Sequence, residues 1–559
     1  MKSAALLVLA LATCDGFTGR GEMYPGRDDL FELSVIHMND FHARFEEINP
    51  KAGTCHPNAE EPCIGGLARI YTATKQLMEE RPNPIFLNAG DHYQGTLWYN
   101  VHRWNATAVF MNMLPHDAMT IGNHEFDNGI AGLVPFLKNV KAPVVVTNID
   151  ASKEPTFQGL TKNSTIIVRG GRKIGVIGVI LSTTNQISST EKLKFLDEVE
   201  TVNLEADKLK REENVDIVIV LSHAGLDVDK IMAVKCPAID LIVGGHTHSL
   251  LYTGVPPNND TAEGDYPVVV TQEKTNRTVL IVQAAAFTKY LGNLTVWFDD
   301  NGEIVDWDGN AILMENGIEQ DPQILEALKP WKVEVDAIGS REIGSTKVFL
   351  ANQCRSGECN MGNFITDAMV DAWMDKAEND TYWTYAAISV MNAGGFRSSL
   401  GGQVDTPITY SDIITAQPFE NTWDVVELQG RDIAKSLEIS VATSYGESSF
   451  WGKSFLAWSG LKTVFDLSKE PHSRLVDVKV RCRDCDVPTY EPLVPDEWYR
   501  VVMPSFLVGG GDGHHVMATN HRNHEVGIVD IDHLVNYTSR MSPIIQGEES
   551  RTVLIGKIV

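Results

Sequence analysis

Residues 84–96 have the sequence Pro-Ile-Phe-Leu-Asn-Ala-Gly-Asp-His-Tyr-Gln-Gly-Thr. The apolar run at 84–88 is followed at once by Asp91 and His92, and Gly90 lets the backbone approach a ligand closely. A short continuous apolar run is typical of a buried β-strand whose polar residues lie in the loop beyond its end. The stretch therefore predicts a strand that carries a carboxylate to the edge of a sheet.

The same arrangement recurs through the first 315 residues or so. Further apolar runs occupy residues 33–37, 118–121, 144–147, 173–180, 215–221 and 239–243. Amphipathic stretches at 70–80 and 196–211 lie between some of these runs. Such alternation predicts an α/β layered domain, with functional residues in the loops where strands end.

Four other polar clusters follow predicted strands in the same way. They are Asn39-Asp40-Phe41-His42, Gly122-Asn123-His124-Glu125, Ser222-His223-Ala224-Gly225 and Gly244-Gly245-His246-Thr247-His248. Their carboxylates, imidazoles and amide oxygen suit zinc, manganese, magnesium or calcium. A single histidine at a strand end is more often a hydrogen-bonding structural residue, but five such clusters favour a metal centre. A two-ion centre needs a bridging carboxylate, and Asp91 is the natural choice.

These clusters, in this order, resemble the calcineurin-type metallophosphoesterases. Residues 88–96 and 122–127 resemble the 5′-nucleotidase/apyrase family in particular. The resemblance implies a four-layer α/β/β/α metallophosphatase domain at 30–316, joined by a linker helix at 317–340 to an α/β substrate-binding domain at 341–559.

The resemblance also implies a catalytic site with two divalent ions. One ion is expected on Asp40, His42, Asp91 and His248, and the other on Asp91, Asn123, His223 and His246. Zinc is the expected metal, with calcium, magnesium or manganese as alternative activators. The ions would activate a water for in-line attack and clamp the phosphoryl oxygens. His124 and Asp127 resemble the family's catalytic dyad, in which an imidazolium stabilises developing charge and the carboxylate orients it.

Residues 354–363, 392–397, 417–421 and 504–513 resemble signatures of the same family's C-terminal domain. Carried over to this chain, Arg355 and Arg397 would hold phosphate oxygens, because guanidinium groups bind them in bidentate fashion. Asn392 would lie near the base or phosphate, Phe419 and Phe506 would sandwich the base, and Asp512 would accept hydrogen bonds from the ribose. Without the resemblance, a lone phenylalanine would usually be interpreted as a core residue. The glycine run at 509–513 would be interpreted as a turn.

The two halves of this site lie in different domains, so a substrate must bridge them. Asp321-Pro322 predicts the start of a helix near residues 320–338, the candidate hinge between the domains. Pro330 is expected to end or kink that helix.

The chain has 559 residues and a formal net charge of −27, spread along its length. This balance argues against a nucleic-acid partner. It also means that an anionic substrate needs local cations, which the metals and arginines would supply.

Residues 1–16 predict a signal peptide, with Lys2 before an apolar run. Three local cysteine pairs, at 55/63, 354/359 and 482/485, are typical of disulfides in exported proteins, although 482/485 also resembles half a zinc site. Cys236 has no obvious partner.

Seven Asn-X-Ser/Thr sequons fit a glycoprotein. Residues 550–559 resemble neither a transmembrane helix nor a lipid-anchor tail, so a secreted, extracellular protein is expected.

The expected activity is removal of phosphate from extracellular ATP and ADP, with AMP as a further candidate substrate. Residues 95–100 and 103–107 resemble the secreted salivary apyrases of blood-feeding insects, which implies inhibition of ADP-driven platelet aggregation. An AMP-selective 5′-nucleotidase is the close alternative. A non-catalytic salivary binding protein is a distant one, because no expected metal ligand has been lost. The sequence gives no prediction of oligomeric state.

Overall fold

The computed structural model describes residues 29–50, 52–55, 61–186, 188–377, 382–402, 405–419, 421–442 and 452–556. The predicted signal peptide at 1–16 lies outside the described residues, as does the sequon at Asn379.

The first domain contains thirteen strands and five α-helices within the part of the chain described. Its strands are β1 Phe31–Met38, β2 Pro84–Asn88, β3 Ala118–Met119, β4 Ile149–Asp150, β5 Ser164–Arg169, β6 Arg172–Ile180, β7 Lys194–Phe195, β8 Ile217–His223, β9 Leu241–Val243, β10 Val268–Thr271, β11 Thr278–Val282, β12 Tyr290–Phe298 and β13 Ile304–Leu313. Its helices are α1 Leu67–Glu80, α2 Leu97–Met111, α3 Gly129–Asn139, α4 Glu198–Glu212 and α5 Leu226–Lys235.

Two mixed sheets form the centre of this domain, in the orders β13-β12-β1-β2-β3 and β10-β11-β9-β8-β6-β5. Alternate residues of β1 show how the layers stack. Leu33 and Val35 belong to the core shared with the second sheet, whereas Ile36 and Met38 pack with α1 and α2. Helices α4 and α5 pack against the second sheet. The domain therefore has the predicted α/β/β/α layers.

The structure differs from the sequence predictions at several strands. Residues 144–147 form only isolated bridges, at Val144 and Val145, and the predicted strand at 118–121 ends at Met119. There the chain leaves the sheet to form the loop that carries Asn123. The sequence predictions also missed β5 and β10–β13, in several of which polar residues interrupt the apolar pattern.

Helix α6 (Pro322–Gly339) connects the first domain to the second. The Asp321 side chain accepts hydrogen bonds from the backbone N–H groups of Gln323 and Ile324, as a helix N-cap does. The helix continues through Pro330, so of the two predicted effects, an end or a kink, the structure excludes the end. Packing of α6 against α2 on one side and against a helix of the second domain on the other compensates for the lost backbone hydrogen bond.

The second domain contains eleven strands and six α-helices among the described residues. Its strands are β14 Glu342–Thr346, β15 Ile388–Asn392, β16 Thr406–Thr409, β17 Trp423–Gln429, β18 Leu456–Ser459, β19 Leu461–Asp466, β20 Leu475–Arg481, β21 Tyr490–Pro492, β22 Trp498–Pro504, β23 Arg522–Glu525 and β24 Thr552–Ile555. Its helices are α7 Asn360–Asp371, α8 Tyr410–Ala416, α9 Gly430–Ser440, α10 Ser505–Val508, α11 His515–Asn520 and α12 Asp530–Met541. The main sheet has the order β18-β15-β22-β17-β23.

The three predicted disulfides are present, as Cys55–Cys63, Cys354–Cys359 and Cys482–Cys485. The third therefore is not half of a zinc site. Cys236 is a buried free thiol. Of the helices described, none combines the length and the apolar character needed to cross a membrane.

Candidate metal centre and substrate site

The predicted metal ligands lie where strands of the first domain end. Asp40 and His42 follow β1, Asp91 follows β2, and His223 is the last residue of β8. Asn123 follows β3 after a short loop, and His246 and His248 follow β9. The seven residues come together at one end of the two sheets and are called the metal cluster below.

The cluster separates into two groups that share Asp91. Ligand atoms of Asp40, His42, Asp91 and His248 lie within 4.8 Å of one another, as do those of Asp91, His223 and His246. Asn123 joins the second group, because its Oδ1 lies 2.8 Å from Nδ1 of His246. This is the grouping that the family resemblance implies.

The backbone around the cluster adopts an uncommon conformation. Five of its members have φ in the left-handed region: Asp40 (51°), His42 (49°), Asp91 (54°), His246 (76°) and His248 (59°). Residues other than glycine are strained there, and such strain concentrates at functional sites. The fold therefore holds these side chains in place at a cost in conformational energy.

The donor atoms fit divalent cations. Nδ1 of His42 lies 2.9 Å from the carbonyl oxygen of Gln94, and Nδ1 of His223 lies 2.6 Å from that of Ala89. A hydrogen bond from Nδ1–H to a carbonyl leaves Nε2 as a lone-pair donor, the usual arrangement of metal-binding histidines. Nε2 of His223 is buried and lies 3.1 Å from Oδ2 of Asp91, so it faces the carboxylate that both ligand groups share.

Burial dominates the electrostatics of the cluster. Desolvation raises the pKa of Asp40 and holds that of His42 well below its ordinary value, where Arg397 lowers it further. Burial also disfavours the imidazolium of His223, but the carboxylates of Asp91 and Asp40 outweigh it and raise the pKa of His223 to about 9. Protons and divalent cations therefore compete for the same donor atoms. Binding of the cations would release protons from the cluster.

The predicted dyad is formed beside the cluster. Nδ1 of His124 lies 2.7 Å from Oδ2 of Asp127, and the backbone N–H of His124 donates to Asp91 at 3.0 Å. Burial lowers the pKa of His124, but Asp127 and Asp91 outweigh it, so the net shift is upward. The dyad thus favours the imidazolium at the edge of the metal cluster.

Arg397 of the second domain reaches the metal cluster of the first. Its Nη2 atom lies 3.2 Å from Nε2 of His42 and 3.4 Å from Nε2 of His248. Burial lowers its pKa to about 10, and Arg355 contributes to the same shift. A buried guanidinium next to imidazoles is well placed to receive an anion.

The remaining predicted substrate residues lie in the second domain. Nδ2 of Asn392 donates to Oδ2 of Asp512 at 2.6 Å, and Arg355 is close enough to Asp512 to interact with its charge. Phe506 lies against Gly511, where a Cβ atom would come within 2.2 Å of the ring. Phe419 stacks on the His124 ring with centroids 5.2 Å apart, so it spans the domain interface.

Sequence reasoning missed three residues that contact the site: Arg44 and Glu125, which are buried, and Phe287, which is partly buried. The guanidinium of Arg44 lies 4.6 Å from the ring centroid of Phe287, and Phe287 also packs against His42 and His248. Glu125 receives hydrogen bonds from the loops that carry Asp91 and Asn123. Glu125 belongs to the cluster at 122–125, so the sequence could have indicated a role for it at the site. The contacts of Phe287 depend on the fold and could not be read from the sequence.

Comparison with known proteins identifies both domains. Residues 33–250 match the calcineurin-like phosphoesterases, and residues 342–519 match the 5′-nucleotidase C-terminal domain. The chain is 47% identical over 529 residues to an apyrase of Tabanus yao, with 94% of each covered. It is 40% identical over 528 residues to the 5′-nucleotidase of Rattus norvegicus, covering 93% of this chain and 90% of that protein.

A solved structure gives the same result for the fold. The 5′-nucleotidase precursor from Thermus thermophilus superimposes with a TM-score of 0.84 at 33% identity, over 94% of this chain and 100% of that one. The fold and the site define a two-domain metallophosphoesterase. The chain belongs to the 5′-nucleotidase family and is a metal-dependent nucleotide phosphohydrolase.

Proposed function

We propose that this protein hydrolyses ATP and ADP in the extracellular space, with AMP as a further substrate. The observation that carries the proposal is the contact between Arg397 and His42, 3.2 Å apart across the domain interface. A phosphate group bound there would meet the guanidinium from one side and the metal cluster from the other. The similarity to an apyrase favours nucleoside di- and triphosphates as substrates.

Two divalent cations, when bound by the metal cluster, supply Lewis acidity and activate water for attack on phosphorus. We propose zinc as the resident metal, because a set of four imidazoles with carboxylate and amide oxygens suits it. Calcium, magnesium and manganese are proposed as alternative activators.

The protein side chains bind, orient and transfer protons. Arg397 and Arg355 bind phosphate oxygens, and their charge offsets the acidic surface. His124, held by Asp127, stabilises charge on the transferring phosphoryl group or donates a proton to the leaving group. Asn392 binds near the base or phosphate, and Asp512 accepts hydrogen bonds from the ribose hydroxyls.

We propose that Phe419 and Phe506 hold the base. In the structure Phe419 stacks on His124 with ring centroids 5.2 Å apart, so the base contact proposed for Phe419 would lie at the domain interface. We also propose that the two domains, divided at 317–340, rotate about the linker region during turnover to open and close this site.

Replacement of Phe506 by alanine tests the base contact. F506A should raise KM for ADP and AMP roughly 5- to 150-fold, because stacking on a base contributes about 1–3 kcal/mol. Hydrolysis of ribose 5-phosphate, which has no base, should hardly change. Equal losses on both substrates in steady-state assays would show that Phe506 is a core residue instead.

Phosphate release from ATP, ADP and AMP separates the apyrase from its close alternative. The proposal predicts a higher kcat/KM for ATP and ADP than for AMP, measured in parallel with zinc, calcium and magnesium. Selective hydrolysis of AMP would instead establish an AMP-selective 5′-nucleotidase; several relatives of this chain are named 5′-nucleotidase.

We further propose that the protein is secreted as a glycoprotein and inhibits platelet aggregation by removing ADP. The predicted signal peptide and the similarity to the apyrase of Tabanus yao support this proposal. Purified protein should suppress aggregation induced by ADP but not aggregation induced by a non-hydrolysable ADP analogue. Equal suppression of both would contradict it.

A further inference from the structure

The side chain of Glu125 is fully buried beneath the metal cluster and accepts four hydrogen bonds from backbone N–H groups. Oε1 accepts from His92 at 2.7 Å and from Tyr93 at 3.1 Å. Oε2 accepts from Asp91 at 3.0 Å and from Gly122 at 2.6 Å. One carboxylate therefore joins the loop after β2 to the loop after β3.

These two loops carry residues assigned to the metals and to the dyad. Asp91 belongs to both ligand groups, and its Oδ1 also accepts the backbone N–H of His124. The loops touch closely, because a Cβ atom on Gly122 would lie 2.2 Å from Oδ1 of Asp91. A small shift between the loops would therefore move Asp91 relative to the ligands of both ions.

We propose that Glu125 is a positioning residue that sets the place of Asp91 and so tunes the affinity of both metal sites. The inference rests on the proposed two-ion function. Charge-assisted hydrogen bonds from backbone N–H groups to a buried carboxylate are short and strong. The Glu125 side chain is therefore well suited to hold the two loops in a constant position relative to each other. Partners of this kind that orient metal ligands typically contribute about 10- to 100-fold in metal affinity.

Glu125→Gln tests the proposal with little change in shape. The amide keeps one acceptor oxygen but turns an NH2 group towards two of the four N–H donors, whichever way it is oriented. Titration of the metal-free full-length protein with Zn²⁺ against a chromophoric chelator should show an affinity about 10- to 100-fold lower than wild type. The rise in Tm on adding Zn²⁺ should shrink accordingly, because ligand stabilisation follows affinity.

Glu438→Gln is the matched control. Glu438 also accepts two backbone N–H groups, of Arg474 at 3.0 Å and Leu475 at 2.7 Å, but it lies in α9 of the second domain, outside the site. E438Q should lower the stability of the metal-free protein and leave Zn²⁺ affinity within about twofold of wild type, since distant sites act independently.

Zn²⁺ affinity equal to wild type in E125Q would overturn the inference. If E125Q does not fold, E125D decides, because the shortened side chain keeps the charge but cannot reach both loops; wild-type affinity in E125D would then refute it. A wild-type protein that binds no Zn²⁺, manganese or calcium would instead refute the proposed function. Well below the Tm of the metal-free variant, where it is fully folded, activity of E125Q should also recover partly at high metal concentration.

Discussion

Asp91→Asn should reduce phosphate release from ATP, ADP and AMP by a similar factor, on the order of 10³-fold or more. Asp91 is shared by both ligand groups and is almost completely buried, so a neutral amide at this position weakens the binding of both ions at once. Removal of a single electrostatic contact at a transition state already costs ~10²–10³-fold in kcat. Phosphate release and metal content should be measured on the same preparations.

Asp227→Asn is the control for this substitution, because Asp227 is an exposed carboxylate on α5 of the same domain. Its activity should equal that of wild type. D91N that keeps two tightly bound metals and more than a tenth of wild-type turnover would refute the bridging role of Asp91.

His124→Ala should have the second largest effect, a loss of about 10²–10⁴-fold in kcat on AMP, as expected for removal of a general acid. The loss should be much smaller on p-nitrophenyl phosphate, whose leaving group needs no proton. Metal content should stay at the wild-type level, because the His124 side chain is not part of the metal cluster.

Asp127→Asn provides the companion variant, since it keeps the size of the side chain that lies 2.7 Å from His124 while removing its charge. It should lose less activity than His124→Ala and show the same dependence on the leaving group. Equal losses of His124→Ala on AMP and p-nitrophenyl phosphate would contradict proton donation and leave only electrostatic stabilisation.

The metal cluster could be predicted from the sequence because each ligand lies at the end of a strand or in the loop that follows it. Neighbouring strands end at the same edge of a sheet, so residues at those ends are expected to lie close together even when they are far apart in the sequence. The contact of Arg397 with His42 is different, because it depends on how two domains pack, which no local pattern reports. The same holds for Phe287, which looks like an ordinary apolar residue in the sequence.

The errors in the predicted elements have local physical causes. Residues 144–147 are apolar enough for a strand, but Val144 and Val145 each form only one isolated β-bridge, to Met119 and to Lys162. Strand β13 was missed because Asp306, Asp308 and Asn310 interrupt its apolar residues. Pro330 was expected to end or kink α6, but the helix continues to Gly339, because packing on both sides of it outweighs the lost hydrogen bond.

The central claim is that two divalent ions on the metal cluster are required for hydrolysis. The most direct test is to remove metals with a chelator, titrate the protein with Zn²⁺, and follow bound metal and phosphate release from ADP together. The account predicts no activity without metal, reversible recovery, and full activity at two ions per chain. Full activity after exhaustive dialysis against the chelator would contradict it.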